Sequence, residues 1–126
     1  MFLNKAIAAS NGIHWTYHVQ DKMRFYRLSE ARVKRVLHSP KRVEEGVAPN
    51  TVASMQPTFI KTKDGKQAWT QEIWVMTQKV RQSAKGKGHI VKIISAWRYP
   101  GMSKVRSAAL QNVMRQEYGS FITAGK

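Results

Sequence analysis

The chain of 126 residues has no cysteine and only seven acidic residues. The absence of cysteine excludes a disulfide scaffold and any metal site with thiolate ligands. The scarcity of carboxylates disfavours glycosidases, which need paired acids, and metal-dependent nucleases. No apolar run exceeds four residues, so no segment is long enough to span a membrane. Asn4 and Lys5 interrupt the apolar N-terminus before it resembles a signal peptide, and we expect a cytoplasmic protein.

Basic residues are abundant by contrast. Lysine and arginine number 22, which gives a formal net charge of +15. Residues 1–62 carry 10 basic and 4 acidic side chains, and residues 63–126 carry 12 and 3. The charge is therefore spread over a folded surface rather than concentrated in a tail. Such a surface favours nucleic acid, because each neutralised phosphate releases a counterion. Solubility and binding to an anionic membrane are the alternatives.

Two helices are predicted in the first third of the chain. Apolar residues recur at helical spacing over about 17–27. The second helix begins after Ser29, a favourable N-cap residue, and stops before Pro40. Its buried face comprises Val33, Val36 and Leu37.

Residues 41–50 are interpreted as a loop, and three extended segments follow it. They cover 51–63, 67–81 and 89–99. Asp64-Gly65 predicts a tight hairpin turn, and Pro57 indicates a bulge or a sheet edge. Ile73 and Val75 alternate with Trp74 and Met76. Apolar residues therefore point to both faces, and we expect the sheet to be covered on both sides or on one side by a partner.

A last helix is predicted after Ser103, interpreted as its N-cap, and ends near Gly119. Its buried face comprises Leu110, Val113 and Met114. The expected fold is a single α+β domain, with two N-terminal helices, a three-stranded antiparallel meander and a C-terminal helix. Residues 1–13 are expected to form a short helix or a loosely attached arm, and residues 120–126 a frayed tail.

The segment HVQDKMRFYRLSEARVKRVLHSPKRV at residues 18–43 contains a histidine, a basic residue before methionine, and a Leu-Ser helix that ends at Ser-Pro. This pattern resembles a bacterial family of small domains related to the BrnT toxins, within the RelE-like ribonuclease toxin superfamily. The segments EIWVMTQ and HIVKIISAW fit the strands of the same layout. The likeness covers about 80 residues and implies a RelE/BrnT-like fold. The C-terminal helix is outside the motif.

Cleavage of RNA without a metal needs a base, a group that stabilises the charged phosphorane, and an acid. The resemblance implies a site at His18 and Lys22, which are four residues apart on the first helix. It also implies functional groups at the end of the last strand, where Arg98 and Tyr99 are found. His18 would be the base, Lys22 and Arg98 would hold phosphate, and Tyr99 would donate a proton. Each has a structural alternative, such as a half-buried histidine or a solvated lysine.

Further basic residues are candidates for contacts with nucleic acid. The glycines around Lys85 and Lys87 would let a phosphate approach the backbone, although the loop lacks a P-loop pattern. Only His14 and His18 have metal-like spacing, and no carboxylate accompanies them, so no metal or cofactor is expected. The candidate nucleic-acid-binding residues are Arg32, Arg35, Lys41, Arg42, Arg81, Lys85, Lys87 and Lys92.

These observations lead to one principal hypothesis and two alternatives. The first is an RNA-directed protein that acts as a metal-independent endoribonuclease toxin, for which the resemblance implies an acidic antitoxin partner. The second is a non-catalytic RNA-binding or ribonucleoprotein-associated module with the same surface. The third is a protein-interaction domain whose charge serves solubility.

Overall fold

The computed structural model describes residues 12–81 and 88–124. The elements in chain order are β1 (Ile13–Trp15), α1 (Tyr17–Tyr26), α2 (Glu30–His38), β2 (Arg42–Glu45), β3 (Thr51–Thr58), β4 (Lys61–Lys63), β5 (Lys66–Ala68), β6 (Gln71–Arg81), β7 (His89–Pro100) and α3 (Ala108–Thr123). The predicted α+β class is confirmed. None of the helices in the described residues is long and apolar enough to cross a membrane.

The main sheet has five strands in the order β1-β7-β6-β3-β2. Its centre is the predicted antiparallel meander, formed by β3, β6 and β7. The prediction of three strands was wrong because it missed both edges. β1 pairs with β7 in parallel over three residues, and β2 pairs with β3 inside the expected loop 41–50. Pairing of only three residues with partners 78 positions along the chain has no local signature, and the polar sequence of β2 hides its strand character.

The first predicted strand was also too long. β3 ends at Thr58, and Phe59 has a left-handed φ of 56° that ends the extended run. Lys61–Lys63 instead pairs with Lys66–Ala68 in a separate two-stranded ribbon. The turn at Asp64-Gly65 is confirmed, with φ of 52° and 77°. Pro57 lies in β3 beyond the reach of β2, whose register ends at Met55, so it occupies a local sheet edge as expected.

Both faces of the sheet are buried, as the alternation in β6 predicted. Ile73 and Val75 pack against α1 and α2, in one apolar cluster. Trp74 and Met76 face the opposite side and pack against α3. The two core tryptophans, Trp74 and Trp97, are opposite each other on β6 and β7, with ring centroids 6.3 Å apart.

The helix caps agree with the prediction for α2 and correct it for α3. The Ser29 hydroxyl accepts a hydrogen bond from the Arg32 N–H at 3.0 Å, and it caps α2. The cap of α3 is Ser107, whose hydroxyl accepts from the Leu110 N–H at 3.1 Å, rather than Ser103. The helix continues to Thr123, past the predicted end at Gly119 and through the first residues of the expected tail.

Ser103 is instead part of a buried network centred on Glu72, which is 0% exposed. The Glu72 carboxylate accepts hydrogen bonds from the indole N–H groups of Trp69 and Trp74, both at 2.9 Å. It also accepts from the Ser103 N–H at 2.9 Å and from its hydroxyl at 2.6 Å. Four donors satisfy the carboxylate and join β6 to the segment that leads into α3.

We expect Glu72→Gln to destabilise the fold, because an amide nitrogen cannot accept two of these four hydrogen bonds. The loss should be about 2–4 kcal/mol in the free energy of unfolding, since buried donors would lose their partner. Urea denaturation measures the change. Glu45→Gln, at an exposed position on β2, is the matched control and should leave stability nearly unchanged. Equal stability of the two variants would contradict the assigned role of Glu72.

Candidate functional site

Three arginines form a group, which we call the arginine cluster, where α2 packs over the sheet: Arg32, Arg35 and Arg98. Arg32 and Arg35 are one turn apart on α2. Arg98 is on β7, opposite Ile73 of β6, and Ile73 packs on the side of the sheet that α1 and α2 cover. The structure therefore brings Arg98, predicted as catalytic, together with two residues predicted to bind nucleic acid.

Arg98 is held in place by uncharged oxygen atoms. Its Nε donates a hydrogen bond to the Tyr26 carbonyl at 2.9 Å, at the end of α1. Its Nη1 donates to Oε1 of Gln71, also at 2.9 Å. Neither partner neutralises the guanidinium, so its full charge remains available to a ligand.

Arg32 is positioned by a second glutamine. Its Nη1 donates to Oε1 of Gln56 at 2.5 Å. The amide nitrogen of Gln56 donates to the carbonyl oxygens of Arg35 at 3.1 Å and Ser39 at 2.7 Å. These two bonds orient the amide so that its oxygen faces Arg32. The site is thus built before any ligand arrives.

Within the part of the chain that the structure describes, no carboxylate is paired with the arginine cluster. None of the four ion pairs among the described residues includes Arg32, Arg35 or Arg98. Burial lowers the pKa of the Arg32 guanidinium below its usual value, and the positive charges of Arg35 and Arg98 lower it further. Arginine nonetheless stays protonated at neutral pH. The repulsion among the three positive charges therefore persists at neutral pH, and an anion bound between them would relieve it.

Exposed aromatic side chains flank the arginine cluster. Phe25 is 76% exposed and makes an edge-to-face contact with Tyr26, with ring centroids 4.8 Å apart. Phe59 is 71% exposed and follows Thr58, whose hydroxyl lies 3.4 Å from Oε1 of Gln71. Both rings are connected to Arg98 through neighbouring residues, and the cation over Phe25 itself is Lys22, with Nζ 6.0 Å from the ring centroid. Exposed flat rings of this kind can provide stacking surfaces for bases.

His18 and Lys22 are brought together as their spacing predicted, but their partner is Glu117 of α3. Lys22 Nζ donates to Glu117 Oε2 at 2.9 Å, and His18 Nε2 lies 3.4 Å from Oε1. The Ser95 hydroxyl donates to the same Oε1 at 2.5 Å. Glu117 thus joins α1, α3 and β7 where β1 no longer covers the edge of β7.

The four predicted catalytic residues do not meet at one point. His18 precedes Tyr26 by eight residues, so it is roughly 12 Å along the α1 axis from the carbonyl that holds Arg98, at 1.5 Å per residue. Tyr99 packs with the cluster on the α3 side of the sheet, opposite to Arg98. Arg98 is therefore apart from His18 and Tyr99, whereas Lys22 Nζ lies 5.1 Å from the ring centroid of Tyr26, the residue whose carbonyl holds Arg98.

The other predicted binding residues are scattered. Arg42 is used inside the fold, with Nε 2.9 Å from Glu44 Oε2 and its Nη1 and Nη2 donating to Ser103. Lys41 is exposed. Arg81 is eight residues beyond Ile73, the residue of β6 that pairs with Arg98. Along the strand this is a distance of roughly 26 Å. Lys92 is half-buried at the same distant end, and Lys85 and Lys87 lie outside the described residues.

A separate polar cleft of about 450 Å³ lies between β2 and α3, lined by Glu44, Glu45, Gly46, Val47, Arg106, Gln111 and Arg115. Charges of both signs line it. The Glu44 carboxylate already accepts from the Arg106 N–H at 3.3 Å, so this cleft does not match a polyanion. Within residues 12–81 and 88–124, no group of three His, Asp or Glu side chains is placed to hold a metal ion.

Sequence reasoning missed the residues that organise these sites. Gln56 and Gln71 orient the arginines, and Glu117 holds His18 and Lys22. Two glutamines in strands carry no recognisable signal. Glu117 did offer one signal. Because the chain has only seven acidic residues, each of them could have been examined as the partner of a specific basic side chain.

We expect Arg35→Gln to leave the fold as stable or slightly more stable. The substitution removes a like charge three residues from Arg32, and such pairs destabilise a helix by about 0.2–0.5 kcal/mol. Thermal unfolding at low and high salt measures the effect, which should shrink as salt screens the repulsion. A clear loss of stability would contradict the interpretation of the cluster as uncompensated.

We expect Glu117→Ala to lower the free energy of unfolding by about 1–3 kcal/mol, because it leaves Lys22 and the Ser95 hydroxyl without their acceptor. Gln116→Ala, at an exposed neighbouring position on α3, is the control. Urea denaturation of both variants tests whether Glu117 joins α1 to α3. Indistinguishable curves would show that it does not.

In comparisons with protein-family models, with curated proteins and with solved structures, nothing matches this chain. The likeness to BrnT and RelE-like toxins therefore remains a prediction from the motif at residues 18–43 and the strand segments.

Proposed function

We propose that this chain binds single-stranded RNA, and that the arginine cluster contacts the phosphate backbone. The observation that carries the proposal is that, among residues 12–81 and 88–124, no carboxylate pairs with Arg32, Arg35 or Arg98. Like charges held together destabilise a protein unless a ligand compensates them. Guanidinium groups bind phosphate oxygens through paired hydrogen bonds, which matches the chemistry of the site.

The distribution of acids supports the same proposal. Glu72 and Glu44 are buried, and Glu117 is largely covered and paired with Lys22. The acids left on the exposed surface are Asp21, Glu30, Glu45 and Asp64. The outer surface is consequently still more basic than the net charge of +15 suggests, as expected of a protein that meets a polyanion.

Phe25 favours a single strand over a duplex. In a duplex the bases are stacked on each other and their faces are inaccessible, whereas an unpaired base can stack on an exposed ring. Phe25 adjoins Tyr26, whose carbonyl holds Arg98. A base on Phe25 and its phosphate on the arginine cluster would make one continuous contact.

The endoribonuclease hypothesis has less support from the geometry. Arg98 would stabilise charge on a phosphorane. His18, however, contacts Glu117 and lies roughly 12 Å along α1 from the carbonyl that holds Arg98, and Tyr99 is on the opposite face of the sheet. The arrangement therefore favours binding without cleavage, and kinship with RelE/BrnT-like toxins remains part of the proposal about the fold.

Fluorescence anisotropy with a labelled single-stranded RNA of about 12 nucleotides tests the proposal. We expect Arg98→Gln to weaken binding about tenfold and to reduce the salt slope by about 0.7 for the lost phosphate contact. Arg115→Gln removes the same charge from an exposed position on α3 and should have little effect. Equal loss in both variants would show that only net charge matters, and the proposal would be wrong.

The aromatic contribution has its own matched pair. Phe25→Ala should weaken binding at least about fivefold, because stacking of one base contributes about 1–3 kcal/mol. Tyr17→Ala removes an aromatic ring that is 69% exposed at the far end of the same helix, and this variant should bind normally.

A separate experiment tests for cleavage: the same RNA is incubated with the protein without metal and analysed on a denaturing gel. Products ending in a 2′,3′-cyclic phosphate would establish the endoribonuclease instead.

A further inference from the structure

The ribbon formed by β4 and β5 is a distinct projection from the fold. Residues 61–68 are all exposed. The two strands pair only with each other and form their own two-stranded sheet. An isolated ribbon contributes little to a core, so its composition is not explained by packing.

The three lysines of this ribbon share one face. Side chains alternate along a strand, so Lys61 and Lys63 point the same way. Lys66 is directly opposite Lys63 in the register, and opposed residues of an antiparallel pair lie on the same face. We call this the lysine face. Gln67 is on the other face, and its Oε1 accepts from Lys41 Nζ at 3.1 Å, which turns that side towards the body of the protein.

The lysine face is destabilising as it stands. Lys63 opposite Lys66 is a like-charge cross-strand pair, which weakens a ribbon. None of the ion pairs among the described residues involves Lys61, Lys63 or Lys66. Features that break a local rule without compensation inside the fold are expected at functional sites.

The lysine face differs chemically from the arginine cluster. Beyond the lysines, it carries only Ala68, so it has no ring on which a base can stack and no side-chain acceptor for a base edge. It can hold phosphates but cannot read bases. Double-stranded RNA is bound in this manner, through its backbone and its shape.

The two surfaces are close enough to contact one molecule. The ribbon leaves the main sheet between Thr58 and Gln71, the strand ends that lie beside Arg98. Gln71 is only three positions after Ala68, which corresponds to roughly 10 Å of extended chain. An RNA strand that passes the arginine cluster would therefore meet the ribbon next.

From these observations we infer that the lysine face binds the backbone of an RNA stem whose single-stranded extension occupies the arginine cluster. The inference rests on the proposed function and specifies its ligand, an RNA with a junction between paired and unpaired segments. Two linked contacts on one ligand should give tighter binding than either contact alone.

The experiment compares three RNAs by fluorescence anisotropy: a single strand, a blunt hairpin, and the same hairpin with that single strand as its extension. The wild-type chain should bind the extended hairpin about tenfold or more tighter than either part. K61Q/K63Q/K66Q should remove this advantage and lower the salt slope for the extended hairpin by about 2–3, while affinity for the single strand stays within about twofold.

The matched control is K104Q/R106Q/R115Q, which removes three exposed charges from the part of the chain around α3. It should bind all three RNAs nearly as well as the wild type. The charge-preserving variant K61R/K63R/K66R should retain the preference for the extended hairpin. Circular dichroism and thermal unfolding check that each variant is folded, which we expect because the ribbon lies outside both apolar clusters.

The outcomes separate this inference from the proposed function. If the ribbon variant binds the extended hairpin as tightly as the wild type, the inference is wrong, while loss of single-strand binding in Arg98→Gln would still support the proposed function. If the ribbon variant weakens single-strand binding equally, the ribbon does not select a stem, and the inference is also wrong. If the wild-type chain binds none of the RNAs, both fail.

Discussion

The burial of both faces of β6 and β7 is the constraint on which the rest of this structure depends. Successive side chains of a strand point to opposite faces, so Ile73 and Trp74 require separate apolar covers. The first cover is α1 and α2, and the second is α3. This arrangement places α1 over β7 and α2 over β3 and β6, and it thereby brings Arg32 of α2 close to Arg98 of β7. It also places Glu117 of α3 within reach of His18 at the edge of β7.

The placement of the few carboxylates explains how a chain with this charge can fold and still keep surface cations unneutralised. The covered acids hold the structure together, as Glu72 does for the segment before α3 and Glu117 does for α1. They are consequently unavailable to neutralise the surface. The arginine cluster is oriented by glutamine amides, which supply hydrogen bonds without negative charge. Different residues thus control the position and the charge of these arginines, and among the described residues no carboxylate neutralises them.

Prediction succeeded where the determinants are local. Ser29, Pro40 and the apolar spacing between them were sufficient for α2, and Asp64-Gly65 was sufficient for the ribbon turn. It failed where a distant partner decides the outcome. β2 is a strand because β3 is beside it, and Ser103 is not a helix cap because Glu72 accepts both of its donors. The candidate site shows the same contrast. Arg32, Arg35 and Arg98 were each predicted from the sequence, but their proximity to one another was not.

By itself, the amino-acid sequence determined the α+β class, the three helices, a sheet with apolar residues on both faces and a strongly basic surface. Periodicity, capping and turn chemistry act over a few residues, and net charge needs no structure at all. Only the tertiary structure decided that Arg98 lies with Arg32 rather than with His18, and that Arg42 is used internally. Those relations depend on strand register and on which helix covers which face, and both are set by contacts between residues far apart in the chain.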